Sequence, residues 1–173
     1  MAADVYNPEL WNNFFVLVGT GAAALTGLVF VAISVNLRSV IKDATHTYRA
    51  INMLSGFTSA FIVSALALMG RQTHRTFGVE WLLIALAAAA VNTNGYVRGY
   101  SQQGSRFALT KFRVVAGSAC YVGQVVGASL LLSGRQSGTY VGAIALIANF
   151  AILISGSWLL IVGALDKPEG SAS

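Results

Sequence analysis

The side chains of this sequence best placed to do chemistry are uncharged. Near the middles of its long apolar runs stand Thr20 and Thr26, Ser59, Asn92, Gln124 and Asn149, groups that donate and accept hydrogen bonds but stay neutral near physiological pH. Two uses suit such a set in lipid: hydrogen bonding from helix to helix, or lining a route for a small ion or solute. Bonding between helices is the commoner use, and nothing in the set demands water. Catalysis fits poorly. His46 and His74 fall between apolar runs and are expected in loops on opposite faces of a membrane, too far apart to ligate one haem or metal. Neither has a G-x-S-x-G motif whose serine it could activate. Cys120 is the only cysteine, so the chain makes no disulfide within itself, and its place inside an apolar run reads as small-residue packing. No enzyme activity, catalytic residue, metal ligand or cofactor site is expected. The spans also lack any deep carboxylate, Lys, Arg or His, which proton relays and coupled transporters normally use.

The elements that must carry these groups follow from how charge is distributed. Hydrophobic residues make up 55% of the chain and charged ones only 10%, against about a quarter charged in an ordinary soluble domain. The charges cluster between uncharged runs at Leu10–Leu37, Ala50–Gly70, Trp81–Val97, Val114–Gly134 and Gln136–Leu165. Crossing the hydrocarbon takes about 20 apolar residues in a helix. The pattern therefore predicts an all-α polytopic bundle over 1–165, with five spans at about 9–37, 50–70, 79–100, 112–133 and 138–165, and a mobile polar tail over 166–173. The third span is the weakest, because Asn92, Thr93, Asn94 and Gly95 interrupt its second half. Asn7 as N-cap, Pro8 at the first helical position and Glu9 near the positive end of the dipole put the first helix start at Pro8.

Positively charged loops stay cytoplasmic. Arg38, Lys42, Arg49, Arg98, Arg106, Lys111, Arg113 and Lys167 fall on one predicted side, and Arg71, Arg75 and Arg135 on the other. An external N-terminus and a cytoplasmic C-terminus follow, as an odd number of spans requires. The residues before the first span carry no Lys or Arg, so that span does not read as a cleaved signal peptide. Net charge is +5, but the basic groups flank apolar spans and suit anionic headgroups better than nucleic acid. Tyr6, Trp11, Trp81, Tyr140, Tyr48, Tyr96 and Tyr100 near predicted helix ends read as interfacial belts, and Trp158 as a deeper packing or lipid-facing residue.

Small residues predict close helix packing. GxxxG pairs occur at Gly95 and Gly99, Gly123 and Gly127, and Gly138 and Gly142, and Gly19, Ala23 and Gly27 place small residues along one face of the first helix. Asn13, Thr20, Gly27 and Ser34 are spaced by sevens, which lays them along one side in a left-handed bundle. Asn52, Ser55, Gly56 and Ser59 share a face of the second helix.

The segment Glu9–Ile41, and above all its core GAAALTGLVFVAISVNL, resembles the opening of a group of small bacterial membrane proteins without established activity. The resemblance implies a multi-pass protein of a bacterial inner membrane and brings no site residue with it. The expectation for function is a noncatalytic protein that works through helix-mediated assembly, as a homo-oligomer or as a small subunit of a larger membrane complex. Its partners would be membrane lipids and itself or another membrane protein. The alternative is a homo-oligomeric channel or facilitator for a small ion or solute, lined by the seven-spaced face of the first helix, because five helices enclose little pore by themselves.

Overall fold

A computed structural model of the chain describes residues 6–35, 44–70, 72–100 and 107–165. Among the described residues the chain is all-α, with five long helices and no strand. They are α1 (Asn12–Val35), α2 (Ala44–Ala67), α3 (His74–Tyr100), α4 (Phe107–Leu132) and α5 (Ser137–Leu165). Each contains a stretch long and apolar enough to cross a bilayer: Pro8–Val35, Thr47–Ala67, His74–Val97, Val114–Leu132 and Ser137–Ser157. The expected tail 166–173 and the basic loop residues Arg38, Lys42, Arg71, Arg106 and Lys167 lie outside the described residues.

Local sequence sets the ends. Asn7 caps a 3-10 turn over Pro8–Trp11 that runs into α1, its side chain accepting from the Glu9 N–H at 3.0 Å. Thr73 caps α3, its hydroxyl accepting from the Thr76 N–H at 3.1 Å, which satisfies one of the free donors of the first turn. At the end of α4, Gly134 takes a φ of +75°. The Gly134 N–H then donates to Leu131 O at 2.9 Å and the Arg135 N–H to Leu130 O at 3.0 Å, a paired closure that consumes carbonyls left free at the helix end. A side chain at Gly134 would strain that closure.

The third helix is continuous through Asn92–Gly95. The uncharged polar residues that weaken this apolar run do not break the helix. Thr93 donates its hydroxyl to Ala89 O one turn back, at 2.8 Å, and Gly95 makes room for Asn52 of α2.

Successive helices pack antiparallel, and α2 also packs on α5. α2, α3, α4 and α5 thus close a four-helix ring, while α1 lies outside it, mainly against α2. α1 touches the other helices at single points, with Phe15 6.1 Å from Phe77 and 6.2 Å from Trp81 between ring centroids on α3, and Gly21 against Phe150 of α5.

Glycine decides how tightly the ring closes. A Cβ at Gly127 would stand 2.6 Å from the backbone N of Gly142, and one at Gly138 would overlap the carbonyl of Gly127. The GxxxG pairs of α4 and α5 therefore interlock backbone to backbone, where close packing replaces a hydrophobic drive as the source of association. Gly123 meets Ala145 in the same seam, and Gly78 of α3 meets the α4 backbone at Ala128 and Leu132. The small residues of α1 do not share one contact face. Gly19 packs on Ser64 of α2, whereas Ala23 and Gly27 are exposed, because two steps of four residues turn well past a full helical repeat of 3.6.

The interfacial expectation fails for two aromatics. Tyr6 and Trp81 are in the core, whereas Trp11 and Tyr140 pair at 4.7 Å between centroids with Tyr140 exposed. The side chain of Trp158 lies outside the described residues.

Candidate functional site

Two sets of polar and small residues stand out, and the fold separates them. The first is on α1, where Asn13, Thr20, Gly27 and Ser34 are all exposed. Leu17, Ala24 and Val31 between them are exposed too. Together they make a continuous outward seam with alternating steps of four and three residues, the 3.5-residue repeat that keeps one face toward a partner helix. Nothing lies within 4 Å of a Cβ built at Gly27. Ser34 turns its hydroxyl back onto Phe30 O at 2.8 Å, which leaves the seam's surface less polar than its sequence. Thr26, off the seam, does the same onto Ala22 O at 2.7 Å.

The second set is inside. Asn92, Gln124 and Asn149 are buried, on α3, α4 and α5. Gly117 gives space to Tyr96 and Asn92, whose Oη and Nδ2 would lie 3.4 and 3.9 Å from a Cβ there. Tyr121 of α4 meets Asn149 and feels Tyr96. Ser59, expected to act with this group, is buried but spends its hydroxyl on Gly56 O in its own helix at 2.8 Å. Cys120 is buried beside Tyr121.

Several interior polar atoms have no hydrogen-bond partner among the described residues: Asn52 Oδ1, Gln124 Nε2, Asn149 Nδ2 and Trp81 Nε1 within the spans, and Ser64 Oγ beneath Gly19. Each buried orphan of this kind costs about 1–3 kcal/mol. At the end of the bundle where α2 meets α3, Tyr6 Oη, Gln72 Oε1 and both nitrogens of His74 are also buried and unpaired.

That end is organised by Tyr6, which sequence inspection assigned to a belt. Its N–H donates to Gln72 O at 3.1 Å, and its ring packs on Phe77 at 4.8 Å and edge-on to His74 at 5.7 Å. Burial pushes its phenol well above the usual tyrosine range, since the apolar setting disfavours the phenolate. Gln72 Nε2 donates to Glu80 Oε2 at 3.1 Å. The place of Tyr6 just before the Asn7 cap suggests packing back onto the helix it introduces, whereas Tyr6 packs on α3, a contact that leaves no local signal in the sequence.

His46 and His74 are the third and the first residues of α2 and α3, so they occupy first helical turns and not loops. Antiparallel packing puts those turns at opposite ends of the bundle. Among the described residues no group of three or more His, Cys, Asp or Glu could hold a metal ion. The chain matches no family model, no curated protein and no solved structure.

Proposed function

We propose that the chain is a noncatalytic integral membrane protein that works by helix-mediated assembly, with α1 as its docking element. The observation that carries this reading is the outward seam of Asn13, Thr20, Gly27 and Ser34. Its 3.5-residue spacing is that of a helix partner, yet no described helix covers it. A second copy fits the seam well, because every copy inserted the same way presents it in parallel and Asn13 can both donate to and accept from its own counterpart. Polar groups at such seam positions set register and partner number. A different membrane subunit with a matching helix is the other occupant within the same reading. The charge bias of the loops supports an external N-terminus, and the resemblance of Glu9–Ile41 supports a bacterial inner membrane. Lipid covers the remaining faces, where Leu83, Val122, Ile144 and Ile147 are exposed.

Mass measurement of the protein in lipid nanodiscs tests the reading. The native chain should run as a defined oligomer or carry a partner in fixed ratio, and Gly27→Ile should release the monomer while leaving the helical content unchanged. A native chain that is monomeric and alone in nanodiscs and in gently solubilised membranes would overturn it.

A further inference from the structure

The uncovered side of α1 carries a polar group at a telling depth. Thr20 stands near the middle of the apolar stretch Pro8–Val35 and is exposed. The hydroxyls of Thr26 and Ser34 return to the carbonyl one turn back, at 2.7 and 2.8 Å, whereas that of Thr20 bonds to none of the described residues. An apolar medium leaves such a hydroxyl unsatisfied at a cost. Thr20 therefore calls for a neighbour that brings a polar group to the middle of the span.

A second copy inserted the same way supplies that group with no further adjustment, because its own Thr20 lies at the same depth and a hydroxyl both donates and accepts. An unrelated helix would need a polar residue at that one level. No Lys, Arg, Asp or Glu lies between Leu10 and Leu37, so two parallel copies of the seam meet without like-charge repulsion. The next seam positions, Ala24 and Gly27, are small and exposed, and a Cβ at Gly27 would meet nothing within 4 Å. The α4–α5 contact of the same chain shows what small faces accept, since Gly127 and Gly142 bring two backbones together. The ring does not obstruct the approach. Val18, Ala22 and Val29 are buried, and at about 100° per residue they lie on the opposite side of α1 from Thr20, Ala24, Gly27 and Val31. The seam runs about 32 Å from Asn13 to Ser34, and small residues at the contact of two membrane helices are enough to hold a pair in lipid.

We propose that α1 pairs in parallel with α1 of a second copy across a two-fold axis at the seam, the two Thr20 hydroxyls bonded to each other and Ala24 and Gly27 at the closest approach. This pairing rests on α1 being the docking element, and it fixes the occupant, the number of copies and the register. One seam that pairs with itself about a two-fold axis closes at two copies. Leu17, Ala24 and Val31 of one copy then face the same residues of the other. Phe30, about a quarter-turn around α1 from the seam, and Val122 on α4 are exposed but stay away from the axis.

Disulfide trapping in proteoliposomes at low protein-to-lipid ratio tests this, in a Cys120→Ala background that removes the only native thiol. Leu17→Cys, Ala24→Cys and Val31→Cys should each give a covalent dimer on oxidation, whereas Phe30→Cys and Val122→Cys should stay monomeric, all with native helical content by circular dichroism. A second measurement needs no cysteine at the seam. Thr20→Val, which keeps the shape and removes the hydroxyl, should weaken dimerisation by about three- to thirtyfold, the worth of hydrogen bonds between membrane helices, read by energy transfer between labelled copies as they are diluted in lipid. Thr20→Ser should keep the native value. Trapping at Phe30 or Val122 as efficient as at the seam, or a Thr20→Val dimer as tight as the native one, would overturn the pairing. If no seam position traps and the native chain carries a different subunit in fixed ratio, the pairing falls while α1 stands as the docking element. A native chain that is monomeric and alone overturns both.

Discussion

Gly27 and Gly127 are the same residue in the same kind of apolar helix, yet a Cβ would meet nothing within 4 Å at the first and a backbone N at 2.6 Å at the second. The contrast extends to the polar groups. Asn13 and Thr20 on α1 face outward, while Asn92, Gln124 and Asn149 are buried in the ring, with Gln124 Nε2 and Asn149 Nδ2 unpaired. α1 keeps Asn13, Thr20, Gly27 and Ser34 on a surface that the described helices leave open, and the ring spends its small and polar residues on closing itself. In lipid this matters because apolar area gives no drive toward burial. Position, not hydropathy, separates a helix that holds the protomer together from one that is free to hold something else.

The largest test of that division is at Trp81. Its side chain is wholly buried in the main core cluster, and truncation to Ala should cost about 3–5 kcal/mol through the cavity left behind. Leu17→Ala on the outward seam, where the leucine is 73% exposed, should leave protomer stability nearly unchanged. Unfolding by titrated SDS, followed by circular dichroism, measures both. Equal losses at the two positions would break the comparison.

Next in size is the glycine pair itself. Gly127→Val must push rigid backbone apart, since its neighbours within 3 Å are the N and Cα of Gly142 and the O of Gly138, and overpacking of this sort costs about 1–3 kcal/mol or more. Gly27→Val meets open space and should alter association without altering the SDS midpoint of the monomer. Shifts of similar size in that midpoint would show that the seam is part of the protomer's own packing.

How far the sequence reveals this arrangement depends on what signal each feature leaves. Five helices are readable because the charged clusters between Leu10 and Leu165 leave uncharged runs of spanning length. The interlock of Gly123 and Gly127 with Ala145, Gly138 and Gly142 is half readable. The motifs are visible, but their pairing with each other depends on the tight turn at Gly134 that brings α4 and α5 back to back. The sevens of Asn13, Thr20, Gly27 and Ser34 reveal a common side but not whether it faces in or out, because spacing carries no information about neighbours. Trp81 and Tyr6 are misread for a related reason. Aromatic rings near helix ends suit a membrane interface and a buried core equally well, and only long-range neighbours decide between them: Gly142 of α5 receives the Trp81 ring, and Phe77 and His74 of α3 receive that of Tyr6.

A smaller effect separates the two polar sets. If Asn149 holds Tyr121, Asn149→Leu should destabilise the protomer by about 1 kcal/mol, the usual worth of a hydrogen bond between membrane helices. Thr20→Leu should leave it unchanged and act only on assembly. A double-mutant cycle of Asn149→Leu with Tyr121→Phe sharpens the point, because contacting residues couple and distant ones add. A coupling energy indistinguishable from zero would show that the pair lies close without interacting.

The smallest effect is a pH dependence at the end of the bundle where α2 meets α3. The phenol of Tyr6 ionises above the ordinary value of 10.0 when folded, through desolvation, whereas in the unfolded chain it titrates near that value. The folded state therefore holds its proton more tightly than the unfolded one. The stabilisation is complete below about pH 10 and is lost as pH rises from there through the folded value. Tyr6→Phe removes the titrating group while keeping the ring against Phe77 and His74, so stability of the variant should be flat across the same alkaline range. A thermal midpoint that falls above pH 10 in the native chain but not in Tyr6→Phe assigns the effect to the buried phenol. Parallel decline in both would place its origin elsewhere and leave the buried phenol unconnected to alkaline stability.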